Sequence, residues 1–292
     1  MPDLAELTAH PSELLDPIGD GAHGQTPILV HRYPDRVLLF PTLACPMMCR
    51  HCFRKVRLNE GGAVSLRAEL PGALAYLRAH PEVREVILSG GDPLMLGDRR
   101  LDELLSSLRE VPTVRMVRLH TRALAALPQR FAAGLGEILR RHRPVTLVAH
   151  VNHARELTPE AEEALAVLAD AGVPVLAQTV LLRGVNDRPA SMEALLRGLY
   201  ERGVRPYYLH HPDLVVGTGH LRVSIDAGLE LMRALRGRLP GAALPVYVID
   251  IPGGGGKIPL DSAYAERLGP GRWRLRSPLG GAVEYLDPAG RG

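Results

Sequence analysis

Apolar residues recur along the chain in two alternating patterns. Short runs rich in Val, Ile and Leu are typical of buried parallel strands, and longer stretches with an apolar residue every three or four positions are typical of amphipathic helices. The predicted strands are residues 37–43, 86–88, 114–119, 145–149, 175–182 and 207–209. The predicted helices between them are residues 66–79, 101–110, 128–141, 159–171 and 190–202.

This alternation of strand and helix predicts parallel βα units. Six strands are too few to close an eight-unit barrel, so we expect an α/β fold with an open, partial (βα)6 TIM-type barrel. A seventh apolar run at 246–250 follows a predicted helix at 226–236. We predict a helical or irregular lead-in over 1–30, a barrel core over 31–240, and a C-terminal segment over 241–292 whose tail forms a small hairpin.

The composition is that of a globular protein. Of the 292 residues, 46% are hydrophobic, and the formal net charge is only +3. No run of like charges stands out, so no nucleic-acid partner is expected. The N-terminal residues do not resemble a signal peptide, and no apolar run approaches the roughly 18 residues of a membrane span. We therefore expect a cytoplasmic protein without a membrane partner, in a compartment that keeps thiols reduced.

All three cysteines lie in one short segment after the first predicted strand. Cys45, Cys49 and Cys52 are spaced CxxxCxxC, and thiolates this close together can converge on one soft metal centre. An iron–sulfur cluster normally takes four protein thiolates, so three would leave one iron of a [4Fe–4S] cluster open to a substrate or cofactor. A zinc site completed by His51 or by a more distant histidine is the alternative.

Glycines and an aspartate follow the second predicted strand, at the end of the barrel where working residues are placed. The segment is Ser89, Gly90, Gly91 and Asp92. Two glycines let a backbone approach a ligand closely, and an aspartate can accept hydrogen bonds from an ammonium group. Taken alone, the segment is also a common turn.

Three more polar residues lie in or after predicted strands. Arg122 follows the third strand, His150 ends the fourth, and Gln178 lies inside the apolar fifth strand. A buried polar side chain needs a partner, so a purely structural hydrogen bond is the simpler interpretation of each residue by itself.

A lysine follows four consecutive glycines after the seventh apolar run. The chain has only two lysines, Lys55 and Lys257, so a residue that forms a Schiff base has two candidates. Lys257 lies on a pliant backbone that lets its side chain reach inward and attack a carbonyl compound. A Walker-type phosphate loop is excluded by spacing, because Ile251 and Ile258 occupy positions that require Gly and Ser or Thr. A flexible surface loop is the remaining alternative.

Together these motifs resemble the radical S-adenosylmethionine (SAM) superfamily and, within it, the lysine 2,3-aminomutase family. CxxxCxxC after a first strand is similar to the cluster motif of the superfamily, and CRHCFR at 49–54 is similar to the aminomutases. HRYPDRVL at 31–38, QTVLLRGVND at 178–187 and DIPGGGGK at 250–257 also resemble segments of that family. The resemblance covers about residues 25–262.

The resemblance implies a partial-barrel fold and three cofactors. It places a [4Fe–4S] cluster on Cys45, Cys49 and Cys52, with SAM on the open iron, and pyridoxal 5′-phosphate (PLP) on Lys257. The residues that it suggests for SAM are Ser89, Gly90, Gly91, Asp92, His150 and Gln178, and Arg122 is a further candidate for cofactor binding. Those that it suggests for PLP, besides the lysine, are Arg32 and Arg36 at the phosphate and Tyr33 at the ring.

The resemblance also implies the substrate and the reaction. Arg54 matches the arginine that pairs with the substrate α-carboxylate, and Asp213 and Asp250 match two aspartates that bind the ε-ammonium of lysine. An arginine at the carboxylate and two aspartates at the ammonium select a diamino acid by the distance between its charged groups. The implied activity is that of an isomerase that converts L-lysine to L-β-lysine, with a flavodoxin- or ferredoxin-type reductant, and a homo-oligomer is compatible with it.

The chain departs from the family at some positions. His210 stands where lysine enzymes of the family carry Tyr, and the cysteines that bind a structural zinc in some members are absent. The alternatives within the class are an aminomutase for another amino acid or one that makes β-lysine for elongation factor P. Outside it, the alternatives are a radical SAM enzyme that consumes SAM irreversibly and a zinc-binding module without enzymatic activity.

Overall fold

The computed structural model describes residues 3–8, 10–59, 65–261, 265–269, 272–276 and 281–286. Within them, ten strands form one sheet whose spatial order is the order of the chain. These strands are β1 (Gly24–Thr26), β2 (Leu29–Tyr33), β3 (Arg36–Thr42), β4 (Glu85–Gly90), β5 (Met116–Thr121), β6 (Val145–His150), β7 (Val175–Val180), β8 (Arg205–His210), β9 (Val246–Ile251) and β10 (Gly256–Pro259).

Strands β3 to β9 pair in parallel, and this confirms the open partial barrel. The run predicted at 246–250 is β9, a seventh parallel strand beside β8. Antiparallel strands extend both edges, with β1 and β2 beside β3, and β10 beside β9. The hairpin of β2 and β3 was not predicted. Strand β1 and the start of β2 lie within residues 1–30, which were expected to be helical or irregular.

Helices cover the outside of the barrel. They are α1 (Lys55–Asn59), α2 (Leu66–Ala79), α3 (Asp98–Arg109), α4 (Ala123–Ala126), α5 (Ala133–Arg141), α6 (Pro159–Asp170), α7 (Pro189–Glu201) and α8 (Ile225–Leu235). The buried residues of α3 are Leu101, Leu104, Leu105 and Leu108, the stripe that a 3.6-residue period places against the sheet. Burying each of these leucines contributes about 1.5–3 kcal/mol.

The helix predicted at 128–141 is divided in the structure. A 3-10 turn spans Pro128–Arg130, and α5 begins only at Ala133. The interruption holds Arg130, whose guanidinium donates to the carbonyl oxygens of Leu94 and Leu96. Arg130 thus contacts the neighbouring βα connection, and the chain is not helical throughout residues 128–141, contrary to the prediction from the apolar period.

The inner face of the barrel is polar. In β5, the buried positions alternate with Arg118 and His120, which line a cavity inside the barrel. Arg118 forms an ion pair with Glu85 of β4 at 2.6 Å, and this pair also lines the cavity. The apolar side chains of the same strands point outward and pack under the helices, so the main hydrophobic core lies between sheet and helices.

The lead-in packs against the glycine-rich segment near the C-terminal end. A 3-10 turn covers Leu4–Leu7, and the backbone N–H of Gly253 donates to Pro17 at 3.0 Å. Gly19 has a φ of +68°, and a Cβ there would lie 2.8 Å from the carbonyl carbon of Gly253. The segment around residue 19 therefore closes one side of the barrel over the residues that precede Lys257.

The C-terminal tail forms a separate small sheet, with one strand more than the expected hairpin. Its antiparallel strands are β11 (Ala265–Gly269), β12 (Arg272–Arg276) and β13 (Ala282–Leu286). Within the described ranges, no helix is both long enough and apolar enough to cross a membrane.

Candidate active site

Two adjoining cavities lie at the barrel. The cysteine cavity, about 120 Å³, is lined by Cys45, Cys49 and Cys52 together with residues that end the parallel strands. The lysine cavity, about 500 Å³, is lined by Lys257, Asp250 and the inner face of the barrel. Among the described residues, seven line both cavities, namely Phe53, Arg54, Ser89, His120, His150, Gln178 and His210. A ligand in one cavity therefore shares a wall with a ligand in the other.

The three cysteines occupy the loop after β3, as expected. Burial raises the pKa of the Cys45 thiol to about 12, and the negative charges of Asp92, Cys52 and Cys49 add to this rise. Burial also raises the pKa values of Cys49 and Cys52. Thiols this reluctant to ionise need the positive charge of a metal centre to become thiolates.

No group of three or more His, Cys, Asp or Glu side chains in the described part of the chain is placed to hold a single metal ion. Besides the three cysteines, the lining of the cavity includes Asp92 and His51, whose Nε2 lies 3.3 Å from Asn152 Nδ2. Soft thiolates suit an iron–sulfur cluster, in which each cysteine binds a different iron.

The segment from Ser89 to Asp92 is packed against the cysteine loop. A Cβ on Gly91 would lie 2.2 Å from the carbonyl oxygen of Ala44, and Asp92 N–H donates to the same oxygen at 2.7 Å. Asp92 is buried, and its carboxylate accepts from Thr121 Oγ1 at 2.8 Å and from the backbone N–H of Arg122 at 2.7 Å. The glycines thus permit a close approach to protein backbone, and the carboxylate has protein donors.

Arg122, His150 and Gln178 form one connected group at the shared wall. Arg122 Nη1 donates to the carbonyl oxygen of His150 and pairs with Glu156, both at 2.6 Å. Gln178 Nε2 lies 2.7 Å from His150 Nε2. Burial, helped by the charge of Arg122, lowers the pKa of His150 to about 3, so this ring is neutral at pH 7. Glu156 was not predicted, because it lies in a 3-10 turn without a motif.

Lys257 lies on β10 directly opposite Asp250 of β9 in the antiparallel register. Its Nζ forms an ion pair with Asp250 Oδ2 and lies 3.3 Å from His210 Nδ1. The ring of Tyr208 is 5.6 Å from the same ammonium group. Burial acts to raise the pKa of Asp250, but His210 and Lys257 outweigh it and lower this pKa to about 2. The site is therefore built to hold a primary ammonium.

Arg32, Tyr33 and Arg36 line the lysine cavity from the β2–β3 hairpin. The Tyr33 hydroxyl accepts the backbone N–H of Lys257 at 2.8 Å and so ties the hairpin to β10. Arg36 lies over the Tyr33 ring at 4.0 Å and pairs with Asp35 at 2.7 Å. Three side chains from one hairpin thus share the cavity with the lysine.

Arg54 is anchored by a carboxylate that sequence patterns did not single out. Its Nε donates to Asp20 Oδ2 at 2.6 Å, and its Nη1 donates to Ser89 Oγ at 3.3 Å. Asp20 is buried and also pairs with Arg32 at 3.5 Å. The Asp-Gly sequence of the lead-in indicates a turn, and nothing local reveals that the two arginines converge on Asp20.

The two aspartates of the predicted substrate site differ in protonation. Burial raises the pKa of Asp213 to about 7, and the nearby charge of Asp250 adds to this rise, against Lys257, Arg54 and Arg222. Asp213 lines the cysteine cavity, and Asp250 lines the lysine cavity. His210 lines both, so the acidic pair is distributed on either side of the shared wall.

Known proteins match the chain over nearly its whole length. The family model of the radical SAM superfamily matches residues 39–196, and that of lysine-2,3-aminomutase matches residues 232–290. The L-lysine 2,3-aminomutase of Fusobacterium nucleatum is 40% identical, with 99% of this chain and 68% of that protein covered. The corresponding protein of Clostridium subterminale is also 40% identical, with 99% and 69% covered. The glutamate 2,3-aminomutase of Clostridioides difficile is 38% identical, with 94% and 65% covered.

Solved structures agree on the fold. A radical SAM methyltransferase from Sphaerobacter thermophilus has a TM-score of 0.54 at 18% identity, with 76% of this chain and 68% of that chain covered. SuiB of Streptococcus suis has a TM-score of 0.53 at 15% identity, with 75% and 50% covered. At such identities the likeness concerns the fold alone. With the cysteine loop, the lysine cavity and the extended sequence identity taken together, the chain belongs to the lysine 2,3-aminomutase family of the radical SAM superfamily.

Proposed function

We propose that this protein converts L-lysine to L-β-lysine by moving the 2-amino group to carbon 3, with PLP beside the cluster and SAM of its superfamily. The observation that carries the proposal is the ammonium of Lys257, held by Asp250 in a cavity that shares a wall with the three cysteines. Family membership supports an isomerase. The charges of the cavity favour lysine among the amino acids that the family handles.

Both cavities present polar atoms that fit the cofactors. Some buried side-chain nitrogens have no hydrogen-bond partner among the described residues, and a bound group can supply one. They include Arg32 Nε, His120 Nε2, Arg122 Nε and His210 Nε2. When bound, the cluster with SAM supplies a radical that removes hydrogen, and PLP supplies the π-system across which nitrogen moves. The residues that would hold the cluster are Cys45, Cys49 and Cys52. Those that would hold SAM are Ser89, Gly90, Gly91, Asp92, Arg122, His150 and Gln178. Those that would hold PLP are Lys257, Arg32, Tyr33 and Arg36.

The protein groups orient a diamino acid. Arg54 presents its guanidinium at the shared wall, where its planar fork suits a carboxylate. Asp250 already binds a primary ammonium, that of Lys257. When the Lys257 side chain moves away from Asp250, the ε-ammonium of the substrate takes its place on that carboxylate. Asp213 adds negative charge from the other side of the shared wall.

The same charges disfavour glutamate. Its side-chain carboxylate would face Asp250, whose pKa of about 2 keeps it ionised at pH 7. Like charges brought together in a partly buried site disfavour binding. We therefore expect L-lysine to be converted much faster than L-glutamate, although the glutamate 2,3-aminomutase of Clostridioides difficile is 38% identical to this chain.

The cofactor assignment is tested on protein purified without oxygen and supplied with iron, sulfide and PLP. We expect a Schiff-base absorbance that Lys257→Ala abolishes and a cluster absorbance that Cys49→Ala abolishes, each variant keeping the other signal. Iron without PLP would reduce the proposal to an unassigned radical SAM enzyme. The loss of both signals in wild type would overturn it, and zinc in their place would favour a metal-binding module.

The substrate assignment is tested with L-lysine and L-glutamate on the loaded enzyme. It uses a flavodoxin- or ferredoxin-type reductant, the partner that we propose for the cell. L-β-lysine should form without stoichiometric release of methionine, and Asp250→Asn should raise KM for lysine. Equal turnover of both amino acids would contradict the role of Asp250. Continuous consumption of SAM would favour a radical SAM enzyme of another kind.

A further inference from the structure

His210 is fixed at the end of β8, between its two neighbouring strands. Its carbonyl oxygen accepts from Leu181 N–H at 2.9 Å, and the next residue, His211, donates its N–H to Val248 at 2.7 Å. The His210 side chain is 14% exposed. Its Nδ1 lies 3.3 Å from Lys257 Nζ and 3.7 Å from Asp250 Oδ2. The imidazole therefore lies against both members of the Lys257–Asp250 ion pair.

The ring is neutral at pH 7. Burial lowers the pKa of His210, as does the positive charge of Lys257, and the negative charge of Asp250 opposes them only in part. A neutral imidazole has one unprotonated nitrogen, and an ammonium group has donors only. A hydrogen bond from Lys257 Nζ thus requires the unprotonated nitrogen to be Nδ1, which leaves the proton on Nε2.

Other titratable groups surround this ring. Tyr208 of the same strand lies edge-on to the ring, with the two ring centroids 5.6 Å apart. The charge of His210 also acts to lower the pKa values of His120 on β5 and His150 on β6. Burial lowers the pKa of both of these histidines, so neither is charged at pH 7. Within the described residues, the hydrogen-bond contacts of Lys257 Nζ are with His210 and Asp250.

Of these two contacts, His210 is the better proton acceptor. The pKa of Asp250 is about 2, so its carboxylate takes a proton poorly at pH 7. An imidazole is the side chain whose basicity suits proton transfer near neutrality. Asp250 is instead placed to stabilise the imidazolium that would result, at 3.7 Å from Nδ1.

We propose that His210 is the acid–base residue that prepares Lys257 for covalent attachment of its carbonyl cofactor. This inference rests on the proposed function. Lys257 Nζ gives one proton to His210 Nδ1, and the free amine then forms a C–N bond with the aldehyde carbon. His210 returns that proton to the former carbonyl oxygen, which leaves as water after a second proton moves from nitrogen to oxygen. An ammonium and an aldehyde thus give a protonated Schiff base and water, and no other reagent is consumed.

The test measures the rate of Schiff-base formation rather than turnover. Full-length protein with its cluster reconstituted and PLP removed is mixed with PLP. Borohydride reduction at successive times, followed by mass spectrometry, then counts the adduct on Lys257. His210→Asn keeps an amide that can hydrogen-bond to Lys257 but cannot carry a proton, and His210→Phe removes both properties. His211→Asn is the matched control, because His211 Nδ1 contacts Tyr247 Oη at 2.8 Å in the interior.

Both His210 variants should form the adduct roughly 100-fold more slowly at pH 7, in the range of general acid–base effects, and still reach the same final adduct. His211→Asn should form the adduct at the wild-type rate. Added imidazole should accelerate adduct formation in a third variant, His210→Ala. A wild-type rate in His210→Asn would overturn the inference and leave His210 as a hydrogen-bonding residue only. Failure of wild type itself to form the adduct would instead overturn the PLP assignment and, with it, the role of His210.

Discussion

Replacing Asp20 with asparagine isolates the charge that holds two arginines of the active site. The Asp20 side chain is 5% exposed, and its partners Arg54 and Arg32 are 11% and 12% exposed. Removing one partner of a buried ion pair typically costs about 3–5 kcal/mol, because the other charge stays buried without compensation. Phe40 and Phe53 lie 4.9 and 4.4 Å from the Arg54 guanidinium and offset part of that cost. We therefore expect Asp20→Asn to lower the free energy of unfolding by about 3 kcal/mol.

The assay is urea unfolding of the cofactor-free protein, with Asp35→Asn as the control. Asp35 and Arg36 form an ion pair of similar length, 2.7 Å, but their side chains are 59% and 34% exposed. Exposed pairs contribute less than about 1 kcal/mol. If Asp20→Asn costs no more than Asp35→Asn, the carboxylate does not hold the arginines, and the reasoning fails.

The pH dependence gives a second check on Asp20. Burial acts to raise its pKa, but Arg54 and Arg32 outweigh it, so the pKa in the folded protein lies below the usual 3.8. A carboxylate of this kind stabilises the fold above its unfolded pKa and loses the effect as the pH falls through the folded pKa. The difference between wild type and Asp20→Asn should therefore stay constant from about pH 7 to about pH 5.

Three further predictions concern single residues around the cavities. Asp213→Asn should stabilise the cofactor-free protein by up to about 4 kcal/mol at pH 8 and by about half as much at pH 5.5. The reason is that folding raises the pKa of this carboxyl from 3.8 to about 7, so its cost to the folded state grows as the pH rises from 3.8 to 7. Equal gains in the free energy of urea unfolding at both pH values would contradict this. Gly91→Ala should reduce the iron bound on reconstitution, because its Cβ would overlap the cysteine loop, whereas Gly72→Ala, in open space on a helix, should leave the iron content unchanged. Gly19→Ala, at a φ of +68° against the glycine-rich segment, should reduce the affinity for PLP measured by equilibrium titration, and wild-type affinity would show that the segment does not shape the lysine cavity.

The barrel could be predicted because its pattern is local. Short apolar runs mark the buried strands and a 3.6-residue period marks the helices, and the predicted elements lie within a few residues of those in the structure. The division of the helix at 128–141 could not be predicted, because it depends on the contacts of Arg130 with carbonyl groups more than thirty residues away.

The site could be predicted in part. The cysteines, Lys257 and Asp250 were found as sequence motifs, and they line two adjoining cavities because the strand ends of one barrel meet at one edge. Asp20 carried no signal, since an isolated Asp before Gly is most often a turn. The close approach of His210 to Lys257 also depends on strand register, which no local pattern reveals.

The contact between Pro17 and Gly253 has a consequence for biosynthesis. It joins segments at opposite ends of the sheet order, and Lys257 enters the structure on β10, the last strand of that sheet. A chain that emerges from the ribosome can pair β3 to β8 as they appear, but the lysine cavity stays incomplete until β9 and β10 have been made. A prematurely terminated chain would therefore carry the cysteine loop without the lysine.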